Sequence, residues 1–231
     1  MTWSEEFVTR SRIREQNPDP DWRAGSRLPS PVIRSLQRFQ VGESGDGAAL
    51  IRLAEATGDP DYAAAVRMFV AEEQNHARML AELLRAAGAP TIAGHWSDRV
   101  FVATRRALGL RSELLVLATA ELIALEYYGA LAASSDPLLR EVSSRILDDE
   151  RHHVRFQERR LREAFAPAPR WARRPAGGAW QTFATVVIAV VALDHGPALR
   201  AIGTTRRDFY TRCRRLMTDF RVAVFDGAGP P

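Results

Sequence analysis

Two short segments of this chain carry a carboxylate and an imidazole three residues apart: Glu73-Gln74-Asn75-His76 and Glu150-Arg151-His152-His153. On a helix that spacing puts both groups on one face, about a turn apart, so that each pair can offer an oxygen and a nitrogen to one metal ion. A single pair says little, because helices are rich in Glu and the chain has five histidines. Two pairs in corresponding places say much more. Glu73 stands 13 residues after Pro60 and Glu150 stands 13 after Pro137. At about 1.5 Å per residue, both pairs lie roughly 20 Å along their helices.

Ligands at that height need partners at the same height. Gly58-Asp59-Pro60 and Asp136-Pro137 read as a helix stop, an N-cap and a proline in the first turn, which makes each pair part of a helical hairpin. The antiparallel first arm then has to present a carboxylate some 13–16 residues before the turn. Glu43 lies 16 before Asp59, and Glu121 lies 15 before Asp136. The chain thus repeats a pattern: a Glu, then Glu-x-x-His beginning 30 or 29 positions later. Four carboxylates and two imidazoles suit iron or manganese ahead of zinc. Four carboxylate charges also balance two divalent ions, whereas the empty cluster would have to take up protons.

Other polar groups fit less well. Glu126 is only 10 residues before its turn, about 7 Å too low, and is read as a supporting residue. Glu72, Asp149 and His152 are one step off their ligand neighbours and point about 100° away. His195, in Asp194-His195-Gly196, is read as a helix-end cap near the negative end of the dipole, with ligation as the alternative. Tyr127, Tyr128 and Phe39 read as core aromatics at helical spacing, with a redox tyrosine as the alternative.

The elements that must position these groups are all helical, since no run alternates as a strand does. Residues 1–30 are polar and interrupted by Pro18, Pro20 and Pro29, which predicts an extended arm pinned by Trp3 and Trp22. Residues 31–165 predict a four-helix bundle: one helix to about Thr57, a second from Pro60 to Gly88, a third opening at Ser97-Asp98 and broken near Gly109, and a fourth reaching Ala164. Residues 166–178 read as a linker. Helices at 179–194 and 197–224 then pack on the bundle, within a terminal unit of 179–231. Three glycines, Gly42, Gly45 and Gly47, fall around Glu43 in what should be continuous helix. Each costs about 1 kcal/mol there, so the segment predicts room beside the site, a kink or close packing, and a restart of the helix would weaken the place of Glu43.

Bulk composition agrees with a globular protein. The 231 residues are 46% hydrophobic and 26% charged, enough for a proper core. All basic residues are Arg, and the net charge of +4 predicts no nucleic-acid partner. The single cysteine, Cys213, offers neither a disulfide nor a cysteine cluster, which suits the cytoplasm. The N-terminus lacks the apolar core of a secretory signal, and Phe183–Leu193 is about half the length of a membrane span.

With these residues in view, the chain resembles the ferritin-like di-iron carboxylate superfamily over about 31–165. AEEQNHARML and DDERHHVRFQ are most similar to the paired motifs of its desaturase-like branch. The resemblance implies an all-α ferritin-like bundle in which Glu73 and Glu150 bridge two iron ions, with Mn–Fe as the other pair. Glu43 and Glu121 would be terminal ligands, with His76 on one metal and His153 on the other. It also implies dioxygen chemistry on a small-molecule or acyl substrate held along the bundle, an external electron donor and a homodimer. The two added C-terminal helices favour such an oxidase or oxygenase over a ferroxidase or peroxide-scavenging iron protein. A metal-stabilised scaffold without turnover is the third expectation.

Overall fold

A computed structural model describes residues 2–95 and 109–227, and among these there is no strand. Among the described residues there are nine α-helices: α1 (Trp3–Glu15), α2 (Ser30–Glu43), α3 (Ala48–Glu55), α4 (Pro60–Ala86), α5 (Leu110–Leu131), α6 (Pro137–Phe165), α7 (Arg170–Asp194), α8 (Gly196–Ala201) and α9 (Arg206–Phe225). A 3-10 turn, Trp22–Ala24, lies between α1 and α2.

The bundle is built from two hairpins. The Asp59 carboxylate accepts from the Asp61 and Tyr62 amides at 3.1 and 3.0 Å and starts α4. The Asp136 carboxylate accepts from the Leu139 amide at 2.9 Å and starts α6. Each cap satisfies amides that the first turn cannot pair, and the following proline has no amide to leave unpaired. With these turns fixed, α2 packs on α4, α5 packs on α6, and α4 packs on α6 across the hairpins. The shared core includes Leu36, Phe69, Leu80, Leu122, Val142 and Ile146, all at most 3% exposed.

Four expectations change. The first arm of the first hairpin is not continuous: it ends at Glu43 and restarts at Ala48. Gly47 makes that break possible, because its φ is +61° and a Cβ there would lie 2.4 Å from Val70 Cγ2 on α4. Close packing is therefore one use of the glycine run. The N-terminal segment is not extended either. Residues 3–15 form α1, capped by a box in which Thr2 and Glu5 bond each other's amides. Trp3 does pin it, set edge-on against Tyr62 and Phe156.

The predicted linker, 166–178, is helical from Arg170 despite Pro175, Gly177 and Gly178. Packing overrides propensity here. A Cβ at Gly177 would come within 2.9 Å of Phe225 Cγ, and Trp180 donates to the Leu115 carbonyl at 2.9 Å. The helix that results is 25 residues long, and its most apolar 18-residue window has a mean hydropathy of 1.7, so by length and composition it could cross a membrane, as could Leu110–Leu131. The expected start at 179 falls nine residues late. The helix expected over 197–224 is two, α8 and α9, because Gly203 takes a φ of +81° between them. The start of the third helix at Ser97-Asp98 lies outside the described residues. α7 and α9 pack together, and α9 lies against α5 and α6.

Candidate metal centre

The six residues singled out by spacing converge in the middle of the bundle. Glu43 comes from the end of α2, Glu73 and His76 from α4, Glu121 from α5, and Glu150 and His153 from α6. They fall into two groups whose ligand atoms all lie within 4.8 Å of one another: Glu43, Glu73, His76 and Glu150; and Glu73, Glu121, Glu150 and His153. Glu73 and Glu150 belong to both. The break in the first arm leaves Glu43 in place, because Tyr128 donates its hydroxyl proton to Glu43 Oε1 at 2.8 Å. Glu73 has the most exposed side chain of the acidic four, at 19%.

The residues suit cations. Glu73 Oε1, His76 Nδ1, Glu150 Oε2 and His153 Nδ1 are buried without a hydrogen-bond partner, and all four belong to the cluster. His153 Nδ1 stands 3.1 Å from Glu73 Oε1 and 3.6 Å from Glu121 Oε2. Buried polar atoms are ordinarily paired, so such a concentration of unpaired ones marks a place that takes a ligand. Oxygen and imidazole donors without sulfur match iron or manganese.

The outward nitrogens are held crosswise. His76 Nε2 lies 3.2 Å from Asp149 on α6, and His153 Nε2 lies 2.8 Å from Glu72 on α4. Each histidine is thus oriented by the other hairpin, with Nδ1 left facing the cluster. Two arginines of α1 close this layer. Arg14 pairs with Glu72 and, at 2.7 Å, with Asp149, while Arg10 reaches Asp149 at 2.9 Å and Asp148 at 2.7 Å. Gln157 donates to Glu121 at 3.1 Å.

Burial, then the charges of Glu73 and Glu150, raise the Glu43 carboxyl well above its ordinary value. Burial and the same two neighbours raise Glu121 likewise. Burial opposes ionisation of Glu150 too, but the nearness of Glu121 and of the His153 and His76 rings outweighs that and lowers its pKa. For both histidines burial works against the charged ring, yet the surrounding carboxylates win and raise them well above the usual imidazole value. The surroundings therefore favour protons on both rings and on the Glu43 and Glu121 carboxyls.

The remaining residues separate from the cluster. Glu126 pairs with Arg212 at 2.8 Å, and Glu55 with Arg67 at 3.3 Å. Glu121→Ala should therefore weaken metal binding by far more than tenfold and Glu126→Ala by less than twofold, as read by competition with a chelating dye. His152 is buried against Phe7 at 4.3 Å between ring centres, and burial lowers its pKa to about 4. His195 is no ligand in this arrangement. Its Nδ1 lies 2.7 Å from Ser35 Oγ, which in turn lies 2.7 Å from the Tyr127 hydroxyl. A surface cavity of about 700 Å³ lies over the end of α4, lined by Asp19, Trp22, Glu82 and Arg85 among others, and no residue of the cluster lines it.

No protein-family model matches the chain. No curated protein matches it either. Among solved structures it is similar to protein 19 with aldehyde deformylating oxidase activity from Synechococcus, at 17% identity and a TM-score of 0.64, covering 85% of this chain and 92% of that one. The likeness extends over nearly all of both chains and identifies the fold as a ferritin-like helical bundle.

Proposed function

We propose that the six residues hold two iron ions, and that the protein is a non-haem di-iron oxidase or oxygenase that uses dioxygen to oxidise an organic substrate. The observation that carries this reading is the sharing of Glu73 and Glu150 between two four-residue groups, each with its own histidine. A pair of ions bridged by two carboxylates is the arrangement such sharing favours. The oxidase activity named for the similar structure supports the same class and makes an aldehyde the first substrate to try.

A bound ferrous pair supplies electrons for the reduction of dioxygen, and an external donor must replenish them. The chain's own residues do the rest. Glu43 and Glu121 would each help to hold one of the ions, and Asp149 and Glu72 keep the two rings aimed inward. The Tyr128 hydroxyl holds Glu43 in one orientation. The apolar bundle around them limits water.

The test is iron loading under anaerobic conditions followed by mixing with dioxygen in a stopped-flow spectrometer. About two irons per chain are expected, with an oxidation whose time course changes when an aldehyde is present. Iron that passes directly to mineral would instead indicate a ferroxidase. One ion or none would overturn the reading.

Protons must leave when metal enters, because ligation needs bare carboxylates and neutral imidazoles. With Glu43, Glu121, His76 and His153 all raised, affinity should fall steadily as pH drops from 8 to 6. Titration calorimetry with Zn(II) in two buffers of different ionisation enthalpy should record net proton release at neutral pH. Equal heats in the two buffers would contradict the protonated cluster.

A further inference from the structure

Solvent reaches the six converging residues unevenly. Glu73 has 19% of its side chain exposed and Glu43 is 9% exposed, whereas Glu121, Glu150, His76 and His153 are at most 3% exposed. The two wetter residues belong to the facing arms of the first hairpin, at the place where the first arm breaks. Gly42, Ser44, Gly45 and Asp46 around that break are all exposed. Gly47 serves the close packing on Val70, but Gly42 and Gly45 have no such use. Neither has a positive φ, and a Cβ on either would meet nothing within 4 Å. Glycine is ordinarily required for a left-handed backbone or a close approach. What these two provide instead is open space beside Glu43 and Glu73.

The charges around this opening suit a cation. No arginine occurs from 39 to 51 or from 68 to 77, in a chain with 32 of them. Three of the four arginines that border these stretches are paired with acids: Arg38 with Asp194 at 2.7 Å, Arg67 with Glu55 at 3.3 Å and Arg78 with Asp19 at 2.8 Å. α2 ends at the opening without a basic residue in its last turn, so the negative end of its dipole stays uncompensated there. Asp46 adds an exposed carboxylate. On the far side of the histidines, by contrast, Arg10 and Arg14 cover Glu72 and Asp149 and would repel a cation. Just inside the opening, Glu73 Oε1 and His76 Nδ1 are buried without a hydrogen-bond partner. We propose that the gap at Gly42 and Gly45 is the door through which divalent cations reach the centre, with Glu73 as the carboxylate that meets them first. This inference rests on the reading of the six residues as a dimetal centre. An opening lined with one sign of charge raises the local concentration of the opposite ion and speeds its capture.

The experiment follows Co(II) into the full-length protein by stopped-flow visible absorbance, and out of it after mixing with excess chelator. Gly42→Arg and Gly45→Arg each put a positive charge in the opening and leave the core untouched. Each should slow uptake about tenfold at low ionic strength, with the difference shrinking as salt is added. Ile13→Arg on α1, 55% exposed, adds the same charge on the arginine side and should leave the rate as it was. Gly42→Trp should slow uptake and release by the same factor and keep the equilibrium affinity, because an obstacle on a path acts equally in both directions. Co(II) that binds but enters every variant at one rate would place the door elsewhere and leave the centre standing. So would Ile13→Arg slowing uptake as much as Gly42→Arg, or Gly42→Trp lowering affinity with uptake unchanged. No binding of Co(II) to the unaltered protein would overturn the door and the dimetal reading together.

Discussion

Glu150→Gln is expected to reduce bound metal from two ions per chain to fewer than one, whereas Glu121→Gln should leave one. The difference follows from sharing: Glu150 belongs to both groups of converging residues and Glu121 to only one. The Gln side chain keeps the volume of the original, so the bundle should still fold, which helical circular dichroism would verify. Metal that binds only the folded state stabilises it by about 3–4 kcal/mol at 100–1,000 times its dissociation constant. For a chain of this size that is roughly a 10 °C rise in Tm. Glu150→Gln should erase most of the rise on adding metal, and Glu121→Gln only part. Equal losses in the two variants would mean that Glu150 does not bridge.

Arg14→Met should act on the same site from outside it. Arg14 pairs with both Glu72 and Asp149, which in turn hold His153 and His76. Its removal leaves two buried carboxylates poorly compensated. Breaking a buried pair typically costs 3–5 kcal/mol, but the Arg14 side chain is 31% exposed and Arg10 still reaches Asp149, so about 2 kcal/mol is expected. Affinity for metal should fall 10–100-fold, the usual effect of losing a group that orients a ligand. Urea unfolding with and without metal separates the two effects. A loss of stability without any loss of affinity would make α1 a structural clamp only.

The six converging residues were legible because the chain repeats itself. Counting from Pro60 and Pro137 fixed their height, and the same counting set aside Glu126, which the structure pairs with Arg212. The layer behind them was not legible. Glu72 and Asp149 were read as pointing away from the cluster, which they do, but the 100° offset aims each at the ring of the facing hairpin, a relation between helices that no local spacing encodes. Arg10 and Arg14 were hidden for another reason. Their partners lie 58 to 139 residues away, and α1 buries only Trp3 and Phe7, too few apolar positions to announce a helix. The break after Glu43 was signalled by its glycines. That Glu43 would keep its place depended on Tyr128, read as an ordinary core aromatic.

The crossed latches between the hairpins also bear on how the molecule assembles. His76 bonds to a residue 73 positions away and His153 to one 81 positions away, so neither hairpin can complete its half of the centre before the other has docked. Contacts of such long sequence separation form late, after the entropy of closing a long loop has been met. The hairpins should therefore zip up early as local units, with the centre as the last part to form. Amide hydrogens around residues 72–76 and 149–153 should exchange together, at one common opening free energy, and slow together when metal is added.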